Sequence, residues 1–422
     1  MKKIFSEQYG CSASLSDNEM MLGLLKESGF EIGNNPKDSD LNIIVTCSVK
    51  VPTTQRMKYR ITELTNLKKP LIVAGCMTKT ERQTIEKINP RASLVSPDSI
   101  VKIVDVVKNA LKGKKIILLD DVKNQKVNLP RCRKNSVTGL TQISRGCLSD
   151  CGFCVEPYKG KLFSYSQDAI MKDVKSALNE GCKEIWLTSL DCGCYGFDNS
   201  TNLPKLLSSI SNIDEKFFVR VGMSNPIHIK KILDELIESY KNEKIFKFLH
   251  LPIQSFSDDV LELMRRNYDT KTVREIVVKF YKEIPELTFS TDIIVGFPGE
   301  DESDFEMSCK FVEKYKPDIV NISKFGAHKS LKLKQLPENV VERRSKEIFE
   351  LVKKVSLEKN QKWIGWEGEI IVDEKGRNYT WVGRNFAYKP VVIENKKSIF
   401  GRFIKVKLID AKTNYLVGRS II

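Results

Sequence analysis

Three cysteines are packed into the stretch SRGCLSDCGFCVEP: Cys147, Cys151 and Cys154, spaced C-x3-C-x2-C. Thiolates this close on one loop are ligands for zinc or for an iron–sulfur cluster, and either site ordinarily takes four. A structural zinc knuckle needs its fourth ligand nearby. Neither flank offers a paired Cys or His at zinc spacing, and Cys132 is fifteen residues upstream, across a candidate strand. A cluster held by three thiolates keeps one iron open to an exogenous ligand, as a catalytic zinc keeps one position open. A second set is dispersed: Cys11 in YGCSAS, Cys47 in VTCSVK and Cys76 in AGCMTK, each just after a candidate strand. Any one alone reads as a buried structural thiol. Together they occupy three successive strand ends, which converge on one crevice in an open parallel sheet, and so read as a second three-thiolate cluster site.

The other cysteines are Cys132, Cys182, Cys192, Cys194 and Cys309. Cys192-Gly193-Cys194 follows a candidate strand and is open to a redox or ligand role, although no partner at metal spacing is visible. The rest read as small apolar core residues. His228, His250 and His328 are scattered and suggest no histidine-based metal site.

Elements that position these residues follow from periodicity. The first third alternates apolar runs suited to buried parallel strands (Lys2–Phe5, Leu41–Thr46, Pro70–Ala74, Ala92–Val95) with helical patterns at Asp17–Ser28, Thr53–Leu67, Thr80–Ile88 and Ser99–Leu111. Asp17 ahead of Met20, Met21, Leu24 and Leu25 reads as an N-cap. The fold class is α/β, beginning with an open parallel α/β sheet over 1–112. The polar, basic stretch VKNQKVNLPRCRKN reads as part of a linker over 113–135. Over 136–358, strands at Leu140–Ser144, Glu184–Leu187, Phe217–Val221, Phe246–Leu251, Phe289–Val295 and Asp318–Ile322 alternate with helices. That is a (βα)6-type partial barrel with its chemistry at the C-terminal strand ends, closed by a helix over Asn339–Lys362. Residues 359–422 change to short alternating strands with glycine turns, a small all-β barrel.

The chain carries 422 residues and a formal net charge of +15, with 41% hydrophobic and 29% charged residues. A soluble globular protein with a polyanionic partner fits that balance. Residues 356–422 hold 13 Lys or Arg against 7 Asp or Glu, interleaved with Trp363, Trp366, Tyr379, Trp381, Phe386, Tyr388 and Phe403. Basic and aromatic residues on a small barrel suit RNA, although aromatics also build barrel cores. No apolar run is long enough to cross a bilayer, and MKKIFSEQYGCS lacks the apolar region of a signal peptide. Eleven cysteines in a cytoplasmic chain point to metal or redox chemistry rather than disulfides.

The C-x3-C-x2-C spacing, with Phe153 just before its last cysteine, is the motif of radical S-adenosylmethionine (SAM) enzymes. Nearly end to end, the chain resembles their methylthiotransferase family. The motifs are YGCSASLSDNEMM, DLNIIVTCSVK and LIVAGCMTK, then SRGCLSDCGFCVEPYKGK, VRVGMSNP, HLPIQSFSDDVLELMRRNY and DIIVGFPGE, and finally a block like the TRAM domain. VGRNFAYKPVVI and GCSASLSDNE resemble the archaeal and eukaryotic threonylcarbamoyladenosine branch. The chain departs from the family at Lys159-Gly160, Leu190, Phe256 and Ala327–Ser330.

The resemblance implies a methylthiotransferase acting on threonylcarbamoyladenosine at position 37, beside the tRNA anticodon. It implies two 4Fe–4S clusters, one on Cys11, Cys47 and Cys76 that carries sulfur, and one on Cys147, Cys151 and Cys154 whose open iron binds SAM. By motif match it also implies SAM contacts from Phe153, Thr188, Ser189, Asp191, Ser224, Asn225, Gln254 and Asp292. The implied partners are a tRNA anticodon loop, a flavodoxin- or ferredoxin-type electron donor and a sulfur source, acting on a cytoplasmic monomer away from membranes. Three alternatives are isopentenyladenosine as substrate, an aspartate of a ribosomal protein as substrate, and a non-catalytic iron–sulfur RNA-binding protein. The basic balance of 356–422 favours RNA over a ribosomal protein.

Overall fold

The computed structural model describes residues 1–48, 51–120, 126–326 and 334–421. Residues 121–125 of the expected linker, and Ala327–Ser330 with His328, lie outside the described residues.

The first unit is a parallel sheet of β1 (Lys3–Gln8), β2 (Glu31–Gly33), β3 (Leu41–Thr46), β4 (Leu71–Gly75), β5 (Ser93–Val95) and β6 (Ile117–Leu118), in the order β2-β1-β3-β4-β5-β6. LNIIVT of β3 is buried throughout because helices cover both faces, which is why it reads as a continuous apolar run. Two strands were not anticipated. β2 and β6 are too short, and their side chains too exposed, to leave an apolar signature.

The first helix also starts earlier than expected. It spans Ser12–Glu27 with Cys11 as its N-cap residue, so Asp17 is not a cap but a buried mid-helix carboxylate. The reason is tertiary: Asp17 Oδ1 accepts from Lys126 Nζ at 2.7 Å and from Gln142 Nε2 at 2.8 Å. Met20, Met21 and Leu25 on the same helix are fully buried against the sheet.

The second unit contains β7 (Thr138–Gln142), a β-hairpin of β8 (Ser144–Cys147) with β9 (Lys161–Ser164), then β10 (Glu184–Thr188), β11 (Phe218–Val221), β12 (Phe248–His250), β13 (Thr288–Val295) and β14 (Ile319–Lys324). Parallel pairing joins β7, β10 and β11 in one sheet and β12, β13 and β14 in another, with a Val219–Ile245 bridge between them. The result is a six-strand partial barrel around one apolar core. The expected first strand, Leu140–Ser144, is divided: it ends at Gln142 and the chain re-enters pairing as β8, so Cys147 ends a hairpin strand rather than lying in a free loop. The segment read as a linker is packed in its described part. Lys126 is buried, Val127 joins the barrel core, and a Cβ on Gly23 would sit 2.1 Å from the Pro130 carbonyl oxygen.

The third unit is a closed barrel of β15 (Glu367–Lys375), β16 (Thr380–Arg384), β17 (Pro390–Glu394), β18 (Phe403–Ala411) and β19 (Leu416–Ser420), ordered β15-β16-β17-β19-β18. It follows a helix over Glu338–Gln361. An aromatic seam joins it to the partial barrel: Arg220 lies 4.8–5.2 Å from the rings of Trp186, Phe248 and Tyr388. Beside the seam, Lys389 Nζ reaches Asp318 Oδ1 at 2.7 Å and Asn360 Oδ1 at 2.8 Å, all three residues buried.

Burial lowers the Lys389 ammonium from its ordinary range, and the Asp318 carboxylate offsets this. Lys389→Met strips Asp318 of that cation inside the protein and is expected to cost about 3 kcal/mol, the low end for breaking a buried pair, because Lys359 still faces Asp318. Urea denaturation of the full chain measures the loss.

Candidate functional site

The first cysteine set is gathered by strand order. β1, β3 and β4 are neighbours, and Cys11, Cys47 and Cys76 follow their carboxyl ends. Glycine prepares two of these turns. Gly10 has φ +122°, and a Cβ there would lie 2.6 Å from Cys47 Cβ. Gly75 has φ +96°, and a Cβ there would meet the Thr46 carbonyl oxygen at 2.2 Å. Only glycine allows Cys11 and Cys76 to approach Cys47 in this way. Burial pushes the Cys76 thiol well above its ordinary range, and negative charge on Glu156, Cys47 and Cys11 adds to the effect. Thiols set this way stay protonated until a cation replaces their protons.

The second set begins at Cys147, the last residue of β8, and continues on the loop after it. Its turn is held by Cys154 N donating to Cys151 O at 3.1 Å and Gly152 N donating to Met264 O at 2.8 Å. Each of two sulfurs receives a donor. Ser149 N donates to Cys147 Sγ at 3.3 Å, and Arg266 Nη1 donates to Cys151 Sγ at 3.0 Å. Arg266 is buried, and its remaining nitrogens bond Pro252 O at 2.9 Å and Tyr268 Oη at 3.0 Å, so the guanidinium is fixed against the loop. Sequence reasoning passed over Arg266, because a basic residue in LMRRNY carries no local sign of burial. Burial pushes the Cys154 thiol up to about 12.

Both sets meet at one interface. Ser12 Oγ lies 2.7 Å from Thr188 Oγ1, Gln142 Nε2 donates to Ala13 O at 3.2 Å, and Arg145 pairs with Asp98 at 2.6 Å. Glu156, two residues after Cys154, reaches across to Ser48, whose Oγ donates to its Oε1 at 3.5 Å. The strand ends of the first sheet therefore face the strand ends of the partial barrel, with six thiols between them. Their donor set fits two iron–sulfur clusters: two groups of three thiols without a disulfide, the second group with N–H donors aimed at two of its sulfurs, as thiolate ligands require.

The other expected site residues lie around this interface, most of them already engaged with protein. Phe153 packs edge-on to Phe297 at 6.5 Å and lies beneath Arg266. Ser189 Oγ meets Ser144 Oγ at 2.6 Å. Asn225 caps a short helix and donates through Nδ2 to Ser149 Oγ at 3.0 Å, tying β11's end to the cysteine loop. Ser224 is buried, with its Oγ donating to Gly222 O at 3.4 Å. Gln254 has φ +68° and bridges to Ile293, which places it beside β13's end. Asp292 accepts from Asn321 Nδ2 at 2.7 Å and lies 3.2 Å from His250 Nε2. Phe256, a departure from the family, stacks in the core on Phe311 at 4.5 Å.

Asp191 has a fuller set of partners than sequence indicated. Its Oδ1 accepts from Gly193 N at 2.9 Å and Asn225 N at 3.1 Å, and its Oδ2 lies 2.7 Å from His228 Nδ1. The expectation that neither Cys194 nor any histidine has ligand-type partners is corrected here. Ligand atoms of Asp191, Cys194 and His228 lie within 4.8 Å of one another, all buried. Remote strands supply them, which is why spacing hid them. Cys194 also hydrogen-bonds Cys147, which lowers the Cys147 thiol and raises the Cys194 thiol.

The third unit sorts its aromatics. Trp381 and Tyr388 are buried and Trp363, Trp366, Phe386 and Phe403 are half-buried in packing contacts, while Tyr379 is 74% exposed. It sits at the β15–β16 turn beside exposed Lys375 and Arg377, and Asn395 N donates to its carbonyl at 3.0 Å, which brings exposed Lys396 and Lys397 alongside.

Residues 3–96 match the Uncharacterized protein family UPF0004, 141–312 the Radical SAM superfamily and 361–421 the TRAM domain. The chain is 40% identical to a probable threonylcarbamoyladenosine tRNA methylthiotransferase of Pyrococcus abyssi, covering 99% of both chains. It is 32% identical to the human threonylcarbamoyladenosine tRNA methylthiotransferase, over 100% of this chain and 74% of that one. Among solved structures it resembles a radical SAM methyltransferase, TsrM, from Kitasatospora setae, with TM-score 0.56 and 13% identity over 76% of this chain and 73% of that one. It also resembles the cobalamin-dependent SAM radical enzyme OxsB, with TM-score 0.54 and 10% identity over 84% of this chain and 56% of that one. Both structural likenesses concern the fold.

Gly10→Ala forces a methyl group into Cys47 while leaving the Cys147 loop untouched. After anaerobic reconstitution, iron is expected to fall from about eight to about four per chain. Iron analysis of the purified variant checks this, with a melting curve to confirm folding.

Proposed function

The chain belongs to the threonylcarbamoyladenosine tRNA methylthiotransferase family, and we propose that its six interfacial cysteines are the ligands of that reaction's two clusters. Cys11, Cys47 and Cys76 hold one 4Fe–4S cluster; Cys147, Cys151 and Cys154 hold the other. The enzyme converts N6-threonylcarbamoyladenosine at position 37 of tRNA to its 2-methylthio derivative. The observation that carries this reading is the face-to-face placement of the two triads, bridged by Ser12–Thr188 and Glu156–Ser48, in a chain similar to its named relatives along its whole length.

When bound, the clusters and SAM supply the electron, the radical, the methyl group and the sulfur, because no side-chain acid or base can replace an unactivated adenine C2–H with a C–S bond. The protein's part is placement. Arg266 locks the second cysteine loop through three hydrogen-bonding directions, and Asn225 clamps it from β11 through Ser149. Asp191 fixes the turn after β10 by taking two backbone N–H groups and His228. SAM would be held at these strand ends by Phe153, Thr188, Ser189, Asp191, Ser224, Asn225, Gln254 and Asp292. The docked first sheet keeps water from Cys47 and Cys151, both buried. An anticodon-loop base is single-stranded and can be splayed into such a crevice. Tyr379, Lys375, Arg377, Lys396 and Lys397 offer one stacking surface among cations to the RNA.

Units over 1–112, 136–358 and 359–422 divide the work into sulfur carriage, radical generation and RNA binding. A flavodoxin- or ferredoxin-type donor supplies electrons, a separate source supplies sulfur, and the enzyme works as a cytoplasmic monomer. No helix among the described residues is long and apolar enough to cross a membrane.

Cys151→Ala is expected to abolish SAM cleavage, whereas Cys11→Ala keeps cleavage and loses methylthiolation. Product analysis for 5′-deoxyadenosine separates the two, and nucleoside mass spectrometry of tRNA from a deletion strain must lack the methylthio mark on threonylcarbamoyladenosine. Methylthiolation by the Cys11 variant would reject the assignment of the first triad. On the RNA side, Tyr379→Ala is expected to weaken tRNA binding about tenfold through lost stacking. Arg377→Ala is expected to reduce the salt dependence of log K by about one phosphate contact. Filter binding over a range of salt concentrations measures both.

A further inference from the structure

Glu156 is out of place for a carboxylate. It is 7% exposed. It makes no ion pair among the described residues, and its Oε2 has no hydrogen-bond partner there. Its other oxygen accepts from Ser48 Oγ at 3.5 Å, and the only further neighbour within hydrogen-bonding reach of the carboxylate among the described residues is the Cys76 thiol. Leaving a buried carboxylate oxygen unpaired costs free energy, which points to a cationic partner from outside the chain. The carboxylate lies at the first triad: Ser48 adjoins Cys47, and the Cys76 thiol is within hydrogen-bonding reach. Pro157 follows Glu156 and disfavours a helical backbone at Glu156, limiting its freedom to swing away.

We propose that Glu156, carried on the loop of the second triad, is the exchangeable fourth ligand of the iron–sulfur cluster on Cys11, Cys47 and Cys76. This rests on the reading of those cysteines as cluster ligands. Carboxylate oxygen is a hard ligand, whereas iron in a sulfur cluster favours soft thiolate or sulfide. Glu156 therefore caps the open iron at rest and yields to a sulfur donor. In that exchange one Fe–O bond breaks, one Fe–S bond forms, the carboxylate leaves as an anion and no electron moves. Because Glu156 sits two residues from Cys154, the cap also ties the first cluster's open side to the second cysteine loop.

The test uses the full chain with Cys147, Cys151 and Cys154 all changed to Ala, so that only the first triad can load, reconstituted with 57Fe. Glu156 and Glu156→Gln forms are compared by iron analysis, Mössbauer spectroscopy and titration with methanethiolate. A cap in place nine-tenths of the time weakens apparent binding about tenfold, so Glu156→Gln is expected to bind methanethiolate about tenfold more tightly. The signal of one iron in four should change with it, and Glu156→Asp, with a shorter reach, should fall between. Four irons in both forms with the same spectrum and the same methanethiolate affinity would overturn the proposal while leaving the cysteine assignment intact. Absence of iron in the background that keeps Glu156 would overturn the cysteine assignment, and the proposal with it. Melting curves separate misfolding from ligand loss.

Discussion

Asp17 is a charged side chain in the middle of a buried helix, and the two-triad site depends on what surrounds it. Its Oδ1 takes hydrogen bonds from Lys126, on the segment leaving the first unit, and from Gln142, at the end of β7. A buried carboxylate with fewer partners would be strongly unfavourable, so the first sheet, the connecting segment and the barrel must meet in one register. Lys126 is held by the same arrangement: it also donates to Pro97 O at 2.9 Å, and although burial is the largest influence and opposes the charge, Asp17 (by charge and hydrogen bond), Tyr165 and Asp98 together leave the ammonium raised above its ordinary range. Five residues before Asp17, Ser12 touches Thr188, and beside it Cys11 begins the helix. The orientation of one cysteine triad toward the other thus follows from a polar network rather than from apolar packing. Apolar packing sets distance between layers but tolerates rotation, whereas fixed donors and acceptors do not.

The parts of the architecture legible in the sequence were those with a one-dimensional signature. Continuous apolar runs such as LNIIVT and LIVAG appear as buried parallel strands because both sheet faces are covered. Cysteines after three strand ends could be grouped because parallel topology sends adjacent loops to the same edge. Asp17 was misplaced because an acidic residue ahead of an apolar stripe looks the same whether it caps a helix or is buried inside one. The partners that decide between these are Lys126 and Gln142, more than a hundred residues away. Arg266, Glu156 and the Asp191–Cys194–His228 group were hidden for the same reason. Each owes its character to burial beside a distant element, and composition carries no trace of that.

The C-terminal barrel shows where composition misleads. Nine aromatics among thirteen cations suggest a wide RNA surface. Most of those rings instead close the barrel or join the seam around Arg220, where Trp186, Phe248 and Tyr388 surround one guanidinium. A small barrel has little interior, so large rings are needed to fill it and to glue it to its neighbour. The cations, apart from buried Lys389 and half-buried Arg384, stay at the surface. What faces solvent is therefore a charged surface whose most exposed ring is Tyr379, with Tyr415 less so. That arrangement reads phosphate spacing and single-strand character more than base identity, and leaves the choice of base to the crevice between the triads.

In the proposed reading each triad leaves one coordination position open, even though the chain has eleven cysteines. Cys194 is close enough to Cys147 to hydrogen-bond it, so a fourth thiolate for the second triad is near at hand. Its surroundings hold it back. Cys194 Sγ lies 3.3 Å from the Asp191 carbonyl oxygen, on a 3-10 turn whose start is fixed by Asp191 accepting Gly193 N. His228 pins the other carboxylate oxygen, and a Cβ on Gly193 would come within 3.2 Å of both Asp191 Oδ1 and Ser224 Cβ, so the turn has no room to advance. The Cys194 thiol donates to the Asp191 carbonyl oxygen, so it is held in its own turn beside Cys147. A cluster with four protein thiolates would be a closed electron carrier. If Cys147, Cys151 and Cys154 hold a cluster as proposed, a nearby thiol kept in a rigid turn would leave its fourth iron to an exogenous ligand.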